Sequence, residues 1–365
     1  MDNLKINLVS NIFNPVGPSA SGGLEVFNYY LAKELENRGI EVSLFASGDS
    51  SPLKSLRPIV DKSVMYSKDK EYLSAPWNYR RMTVEEFAIY TKLMQQLQND
   101  NGVIHFSMVN FLPIYLAAKS KMPCLVTLHM PVDNLHYQTL LELLTEEEIK
   151  SINFIGVSHQ QIKDFKAPAR VIHNGVYLDD FLYTDQFRDN IIWIARMVKV
   201  KGCEDAILAA NQAGVDLELG GAPNTAEEQD YFDEKIAPSL NEKIRHYGYV
   251  EKQKRSEFYS AKALLFLPKW EEPFGLTMIE AMACGTPVIA YDRGAVREVI
   301  LEGETGFIVN PNDTGAVAEA ISKINSMSAE EYSKMRARCR EHIEKNFSYS
   351  SMVDKYLEVY NKISN

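Results

Sequence analysis

The residue types with the clearest chemical potential form a short run near residue 272. Glu272 and Glu280 lie eight positions apart, and Pro273, Phe274 and Gly275 directly follow the first of them. Pro273 fixes the backbone ahead of a helical pattern, and Gly275 lets another group approach the backbone closely where that helix begins. The free amides of the first helical turn carry partial positive charge, which suits a phosphate. The run therefore predicts an anion site at a helix start.

The position of Glu280 adds a second kind of chemistry to this site. Glu280 lies three residues after Thr277 and four after Leu276, so it shares their helix face about one turn deeper. A carboxylate there suits the paired hydroxyls of a ribose beside a phosphate, and Glu272 can accept hydrogen bonds from sugar hydroxyls. The alternative is two surface glutamates that flank an amphipathic helix. Spacing alone does not separate these interpretations.

Two cations occupy a similar position after an earlier strand pattern. Arg196 follows the apolar run 191–195, and Lys201 stands with Gly202 where the next helix begins. Together they could neutralise a diphosphate, because each charged hydrogen bond is worth roughly 1.5–3 kcal/mol. As isolated residues they would more often be solvated surface charges. No Asp-x-Asp pair occurs in the sequence, so the simplest way to hold a divalent metal ion on a diphosphate is missing. We therefore expect a site without metal.

The order of apolar runs predicts the scaffold that positions these residues. Short apolar runs alternate with longer amphipathic stretches, which favours parallel sheets with helices on both faces. The alternation starts at 6–9 and begins again at 191–195. We expect an α/β protein with two domains, residues 1–180 and 181–349, and a linker within 174–189. In open parallel sheets, ligands bind at the carboxyl ends of the strands.

The loop after the first strand is a further candidate. Ser10–Gly23 is longer than the usual ~2–6 residues of such loops, and it ends in Gly22 and Gly23 at a helix start. Two glycines there let a ligand or the facing domain approach the backbone; the alternative is a flexible surface loop. The Gly-x-Gly-x-x-Gly fingerprint is absent, which argues against an NAD enzyme.

Two more candidates come from the first half of the chain. His129 ends an apolar strand segment, although a single histidine is more often structural than catalytic. An aromatic and basic group could stack on a sugar and pair with an anion, and so form an acceptor site; a packed surface loop is the favoured alternative. This group consists of Trp77, Tyr79, Arg80 and Arg81.

Composition and charge exclude several classes of protein. The net charge of −10 argues against general affinity for nucleic acid. No apolar run approaches ~20 residues, so we expect no membrane span and at most peripheral membrane contact. The sequence passes directly into a strand pattern without a signal peptide, and its four isolated cysteines favour a reducing compartment. These features predict a cytoplasmic protein.

Taken together, the residues resemble the family-four retaining glycosyltransferases with the GT-B fold. The resemblance extends over nearly the whole chain, and the Glu272 to Glu280 spacing corresponds to the Glu-x7-Glu motif of that family, which is specific in this context. The other matches are individually weak. They are Gly22-Gly23, Thr127-Leu128-His129, Val157-Ser158, Asn174-Gly175-Val176, Arg196 to Gly202, and Gly248-Tyr249-Val250.

The resemblance implies a fold and a division of labour. It implies two Rossmann-like domains whose parallel sheets face a central cleft. The N-terminal domain would bind the acceptor and the C-terminal domain the donor. The last helix, within 350–365, would return to the N-terminal domain.

The resemblance also implies roles for single residues. Arg196 and Lys201 would hold the diphosphate, and Glu280 the ribose. Glu272 and the backbone of Phe274–Thr277 would hold the donor sugar and phosphate. The remaining roles are a base contact near Gly248 and Val250, closure over the diphosphate by Gly22 and Gly23, and a position near C6 of the transferred sugar for His129.

The implied activity is transfer of a hexosyl unit from a nucleoside diphosphate sugar to an acceptor hydroxyl, with retention of anomeric configuration. The family chemistry uses front-face attack, in which the leaving phosphate helps to deprotonate the acceptor. That account fits a chain without a convincing protein nucleophile. Glu272 and Glu280 are not a glycosidase pair, because one of them would be occupied by ribose.

Other functions remain compatible with the sequence. A nucleotide-sugar epimerase of the same fold would alter the donor without an acceptor, and a non-catalytic nucleotide-sugar-binding protein would bind the donor without turnover. We expect no cofactor besides the donor substrate, and the resemblance favours uridine as its base. The sugar, the acceptor and the oligomeric state are left open.

Overall fold

The computed structural model of the protein describes residues 4–20, 22–64 and 76–364, with the backbone alone for 76–81. The chain divides into two compact units. Unit 1 comprises the chain up to His173 and from Met352 onward, and unit 2 comprises Asn174–Ser351. The division falls at the start of the segment 174–189 in which the sequence analysis places the linker.

Unit 1 contains, within the described residues, a seven-stranded parallel sheet in the order β3-β2-β1-β4-β5-β6-β7. Its strands are β1 (Lys5–Val9), β2 (Glu41–Ser47), β3 (Leu56–Val60), β4 (Val103–Phe106), β5 (Cys124–Leu128), β6 (Ile152–Gly156) and β7 (Ala169–Val171). Its helices are α1 (Gly23–Asn37), α2 (Pro76–Leu97), α3 (Phe111–Lys119), α4 (Leu135–Leu143), α5 (Glu146–Ser151) and α6 (His159–Ile162).

Unit 2 contains, in the same described part of the chain, a six-stranded parallel sheet in the order β10-β9-β8-β11-β12-β13. Its strands are β8 (Arg188–Ile194), β9 (Leu217–Gly220), β10 (Ile244–Gly248), β11 (Ala261–Phe266), β12 (Val288–Tyr291) and β13 (Gly306–Val309). Its helices are α7 (Cys203–Ala213), α8 (Ala226–Tyr231), α9 (Lys252–Tyr259), α10 (Leu276–Ala283), α11 (Val296–Val299), α12 (Thr314–Asn325) and α13 (Ala329–Asn346). The final helix, α14 (Tyr349–Ser364), begins in unit 2 and continues into unit 1.

The two sheets confirm the predicted α/β class with two Rossmann-like domains. Each sheet places its first strand in the middle and reverses its strand order beside it, at β1/β4 in unit 1 and at β8/β11 in unit 2. Ligands of doubly wound sheets bind at such a switch point, outside the carboxyl ends of the strands. In unit 2 this point lies between the segments that contain Arg196 and Glu272.

The apolar periodicity that predicts the elements also builds the cores. In unit 2 the strand residues Trp193 and Leu265 pack with Ala206 of α7 and Ile321 of α12, and all four are buried. In unit 1 Phe106 packs with Tyr90 of α2 in the same way. The tail of α14 joins the core of unit 1 through polar contacts, since the hydroxyl of Tyr360 lies 2.6 Å from Nδ1 of His105.

Two other observations bear on the predictions from composition. The four cysteines, Cys124, Cys203, Cys284 and Cys339, are buried and free of disulfides. Among the helices of the described ranges, none combines the length and apolar character needed to cross a membrane.

Candidate functional site

The switch point of unit 2 brings two of the predicted segments into direct contact. Lys201 comes from the connection after β8, and Glu272 from the connection after β11. Their side chains form an ion pair with Nζ 2.6 Å from Oε2, and both are largely shielded from solvent. The two strands that carry these connections are neighbours in the sheet. Residues 71 positions apart therefore meet at one sheet edge.

Trp270 completes this contact, although the sequence analysis does not name it. Its indole Nε1 donates a hydrogen bond to Oε2 of Glu272 at 2.9 Å. The ammonium of Lys201 also lies 5.0 Å from the centroid of the Trp270 ring, within the range of a cation–π interaction. We call Lys201, Trp270 and Glu272 the carboxylate triad.

The start of α10 has the backbone arrangement that its sequence predicts. Gly275 is the residue before the helix and adopts φ +91°, a left-handed conformation that favours glycine. The amide of Met278 donates to the carbonyl of Gly275 at 3.1 Å. Helix geometry gives the preceding amides of Leu276 and Thr277 no partner within the helix. Because they lack such a partner, these amides can serve as donors to an anion. Phe274 is buried and anchors the loop before the helix.

Glu280 lies one turn further along α10 and is held by a buried tyrosine. The hydroxyl of Tyr259 donates to Oε2 of Glu280 at 2.5 Å. Burial, with the adjacent charge of Glu280, raises the pKa of Tyr259 well above its ordinary value, so the hydroxyl stays protonated. Burial lowers the pKa of Arg255, but Glu280, Tyr259 and Tyr249 together outweigh burial, so the pKa is raised. The contact of Glu280 with a ribose stays a prediction.

Arg196 forms an ion pair with a carboxylate from a third connection. Its Nε donates to Oε1 of Glu228 at 3.2 Å, and its Nη2 contacts the same oxygen. Glu228 lies in α8, after β9, and its carboxylate also accepts from the amide of Asn224 at 2.8 Å. Glu228 therefore holds the Nε and Nη2 side of the guanidinium, while much of the Arg196 side chain is exposed to solvent.

The predicted base contact lies at the end of β10. Gly248 is the last residue of that strand and adopts φ +83°. Its carbonyl accepts a hydrogen bond from the amide of Gly221 at 2.8 Å. Val250 is buried, whereas the rings of Tyr247 and Tyr249 are exposed. The structure gives this turn a defined backbone, and its contact with a base stays a prediction.

In unit 1, the glycine loop is supported by a buried carboxylate. Gly22 precedes α1 and Gly23 begins it. Oε1 of the buried Glu25 accepts hydrogen bonds from the side-chain amides of Asn11 at 2.9 Å and Asn14 at 3.4 Å. A Cβ atom at position 22 would lie only 2.0 Å from Oε2 of Glu25. A side chain at position 22 would therefore require the carboxylate of Glu25 to shift.

His129 follows β5 in unit 1 and has a neutral ring. Its Nε2 lies 2.9 Å from Oγ of Ser107, and its ring meets that of Phe27 edge-on at 4.8 Å between centroids. Burial lowers the pKa of His129 to about 4. This shift favours the neutral imidazole at neutral pH, and the position of His129 near the transferred sugar stays a prediction.

The predicted acceptor group falls outside the described side chains. Trp77, Tyr79, Arg80 and Arg81 lie on the backbone of α2, which begins at Pro76. The interpretation of this segment as a surface loop is therefore wrong for residues 76–81. Their part in acceptor binding stays a prediction.

No group of three or more metal-ligating side chains comes together within the described ranges. Function without a metal ion stays a prediction.

Sequence reasoning misses the partners of the predicted residues for different reasons. Trp270 stands two positions before Glu272, and Glu25 stands three after Gly22, the spacing of a capping glutamate. Both could have been found. Glu228 and Tyr259 are remote in sequence from Arg196 and Glu280, and only the fold joins them.

Two family models match the chain. The model described as Glycosyltransferase Family 4 matches residues 21–180. The model described as Glycosyl transferases group 1 matches residues 185–346, which include the carboxylate triad. The chain belongs to glycosyltransferase family 4.

Curated relatives of this family 4 protein include several named transferases and synthases. The chain is 32% identical over 198 residues to an alpha-maltose-1-phosphate synthase of Mycolicibacterium smegmatis, which covers 50% of each chain. It is 24% identical over 374 residues to an N-acetyl-alpha-D-glucosaminyl L-malate synthase of Bacillus anthracis, which covers 93% of each. The chain thus spans about half the length of the mycobacterial relative.

Solved structures show that the fold is GT-B. Sucrose-phosphate synthase from Thermosynechococcus elongatus superimposes with a TM-score of 0.74 at 19% identity, covering 98% of this chain and 99% of that one. Anabaena Alr3699/HepE, in complex with UDP-glucose, superimposes with a TM-score of 0.70 at 16% identity, covering 99% and 100%.

Proposed function

We propose that this family 4 protein is a retaining glycosyltransferase that moves a hexosyl unit from a nucleoside diphosphate sugar to an acceptor hydroxyl without a metal ion. Unit 2 binds the donor, and unit 1 contributes the acceptor-binding residues. The observation that carries the proposal is the contact of Lys201 with Glu272, which joins the connections of β8 and β11 at the switch point of unit 2.

The groups around this contact match the parts of such a donor. Arg196, Lys201 and the amides that open α10 supply positive charge for a diphosphate. Glu280, held through Oε2 by Tyr259, offers its other oxygen to a ribose. Glu272 offers Oε1 to the sugar. A nucleoside diphosphate hexose contains all three groups, with the diphosphate between the ribose and the hexose.

The reaction requires charge stabilisation more than a protein nucleophile. The bond between the anomeric carbon and the diphosphate oxygen breaks, and the acceptor oxygen forms a bond to that carbon on the same face. The acceptor proton passes to the departing diphosphate. The transition state places negative charge on the diphosphate, where fixed cations and amides lower the barrier most effectively.

One feature argues against a protein-bound intermediate, and a second supports a reaction without a metal ion. Oε2 of Glu272 is engaged by Lys201 and Trp270, which makes that oxygen a poorer nucleophile. The cations near the diphosphate are Arg and Lys side chains, which supply the neutralising charge that a metal ion supplies in other transferases.

A two-stage experiment tests the proposal. Nucleotide sugars are first screened by thermal shift in EDTA, with UDP-glucose as the first probe because HepE was solved with it. Product analysis by NMR with candidate acceptors then follows release of nucleoside diphosphate and the configuration of the new linkage. We expect a thermal shift without metal and an axial-to-axial transfer for an axial donor.

Four outcomes would overturn the proposal in distinguishable ways. Inverted product would contradict retention, and activity only with added Mg²⁺ or Mn²⁺ would contradict metal independence. A donor altered without any acceptor would identify an epimerase, and binding without turnover across acceptors would identify a binding protein.

A further inference from the structure

One oxygen of Glu272 receives two hydrogen-bond donors from different parts of unit 2. Nζ of Lys201 lies 2.6 Å from Oε2, and Nε1 of Trp270 lies 2.9 Å from the same atom. Both donors therefore act on one side of the carboxylate. This arrangement fixes the plane of the carboxylate and leaves Oε1 as the oxygen that can accept from a ligand.

The two donors differ in what a nucleotide would do to them. Lys201 is a flexible ammonium that a diphosphate attracts, and a contact with phosphate competes with the contact to Glu272. Trp270 is a neutral, rigid donor on the same loop as Glu272, and a phosphate has far less attraction for it. When Lys201 turns toward the diphosphate, the indole alone continues to hold Oε2.

From this difference we propose that Trp270 is a positioning residue for the donor sugar. Its N–H keeps Glu272 oriented so that Oε1 faces the sugar hydroxyls while Lys201 serves the diphosphate. The inference rests on the proposed function of the site. Its distinctive consequence is that Trp270 affects binding of the sugar moiety and not of the nucleotide.

The substitution Trp270→Phe tests this consequence because it removes the indole N–H and keeps an aromatic ring near Lys201. Affinities for UDP-glucose and for UDP are measured by titration calorimetry in EDTA; where the screen selects another donor, that donor and its own nucleoside diphosphate are used. We expect affinity for the sugar nucleotide to fall about tenfold, the worth of one hydrogen bond to a charged group. Affinity for the free nucleoside diphosphate should change less than about twofold.

A matched control is Tyr332→Phe, which also removes one hydrogen-bond donor in unit 2. The Tyr332 hydroxyl donates to the backbone carbonyl of Lys262 in β11 at 2.8 Å, and not to a residue of the carboxylate triad. We expect both affinities to be unchanged in this variant, with melting temperature followed in all three proteins.

The outcomes separate this inference from the proposed function. If Trp270→Phe weakens both ligands equally, or weakens neither, Trp270 does not position Glu272 for the sugar and the inference is wrong. If the wild-type protein binds no sugar nucleotide in the screen, the proposed function fails first and the inference falls with it.

Discussion

Arg196 and Glu228 form an ion pair whose two ends differ in exposure: the Arg196 side chain is 64% exposed, whereas that of Glu228 is 2% exposed. The buried carboxylate is fixed by the Asn224 amide and by α8, so it acts as an anchor. The guanidinium reaches outward from that anchor. A cation held this way is preorganised, as the proposed contact with the diphosphate requires.

Replacing Arg196 by Ala should reduce both turnover and stability, for different reasons. Turnover should fall about 100-fold, because one charge that stabilises the departing diphosphate is lost. The melting temperature should also fall, because Glu228 keeps its charge in a buried position with fewer partners. Steady-state kinetics and thermal unfolding measure the two effects.

The double variant Arg196→Ala/Glu228→Gln separates these effects. It removes the unpaired charge, so it should regain stability but not activity. Arg297→Ala serves as control, since Arg297 is exposed and pairs with Asp292 instead. Full activity in Arg196→Ala would remove this residue from the diphosphate site.

Glu280→Ala should weaken binding of nucleoside diphosphate and of nucleoside diphosphate sugar to the same degree, about tenfold. The reason is that both ligands contain the ribose that Glu280 is proposed to hold. Titration calorimetry on both ligands, with the exposed Glu257→Ala as control, gives the comparison. Unchanged donor affinity in Glu280→Ala would contradict the assignment of Glu280 to the ribose.

Gly202 and Gly214 flank α7 and give a matched pair for the backbone that carries Lys201. Both have positive φ, +75° and +69°, so alanine is strained at either position. A Cβ at Gly202 would lie 2.0 Å from the carbonyl oxygen of Leu267, whereas a Cβ at Gly214 meets nothing within 4 Å.

We therefore expect Gly214→Ala to cost about 1 kcal/mol of unfolding free energy. Gly202→Ala should cost clearly more, because the backbone must move, and it should also weaken donor binding by displacing Lys201. Urea unfolding and calorimetry check this. Equal effects on stability would show that the contact with Leu267 relaxes without cost.

Stability should fall in mild acid through the buried imidazole of His129. Its pKa is 6.5 in the unfolded chain and about 4 in the folded protein, so the unfolded state takes up a proton first. The contribution is present above pH 6.5 and is lost as pH falls toward 4, by up to about 3 kcal/mol. Burial with the neighbouring His129 also lowers the pKa of His105, which adds to the same trend.

His129→Gln should flatten this acid branch in urea titrations between pH 7 and 4.5. Gln keeps a polar side chain beside Ser107 without a titrating ring. An identical pH dependence in the variant would show that His129 is not the buried group responsible.

Periodicity predicted the strands closely where they are buried, and β5 has the bounds that its apolar run indicates. The apolar periodicity does not reveal β3. This edge strand contains Arg57 and Pro58, and its side chains are half exposed, so it has no apolar run. Periodicity also read the start of α2 as a loop, since Pro76 and the aromatic residues after it resemble a turn. Pro is tolerated in the first turn of a helix, which the pattern alone does not reveal.

The residues of the candidate site were predictable where the chemistry is local. Glu272, Gly275 and Glu280 lie within one loop and helix, so their spacing indicates a shared site. The contact of Lys201 with Glu272 depends on the order of β8 and β11 in the sheet. A single sequence does not specify the strand order. The contacts within the carboxylate triad were therefore visible only in the structure.

The most direct test of the account is a calorimetric titration of the donor into wild-type protein and into the variant Arg196→Ala/Lys201→Ala, both in EDTA. Wild-type protein should bind one nucleoside diphosphate sugar per chain without metal, and the double variant should bind it at least about 100-fold more weakly, because two charged contacts are lost. Equal affinity in the two proteins, or binding that appears only when Mg²⁺ is added, would contradict the claim that these side chains hold the diphosphate.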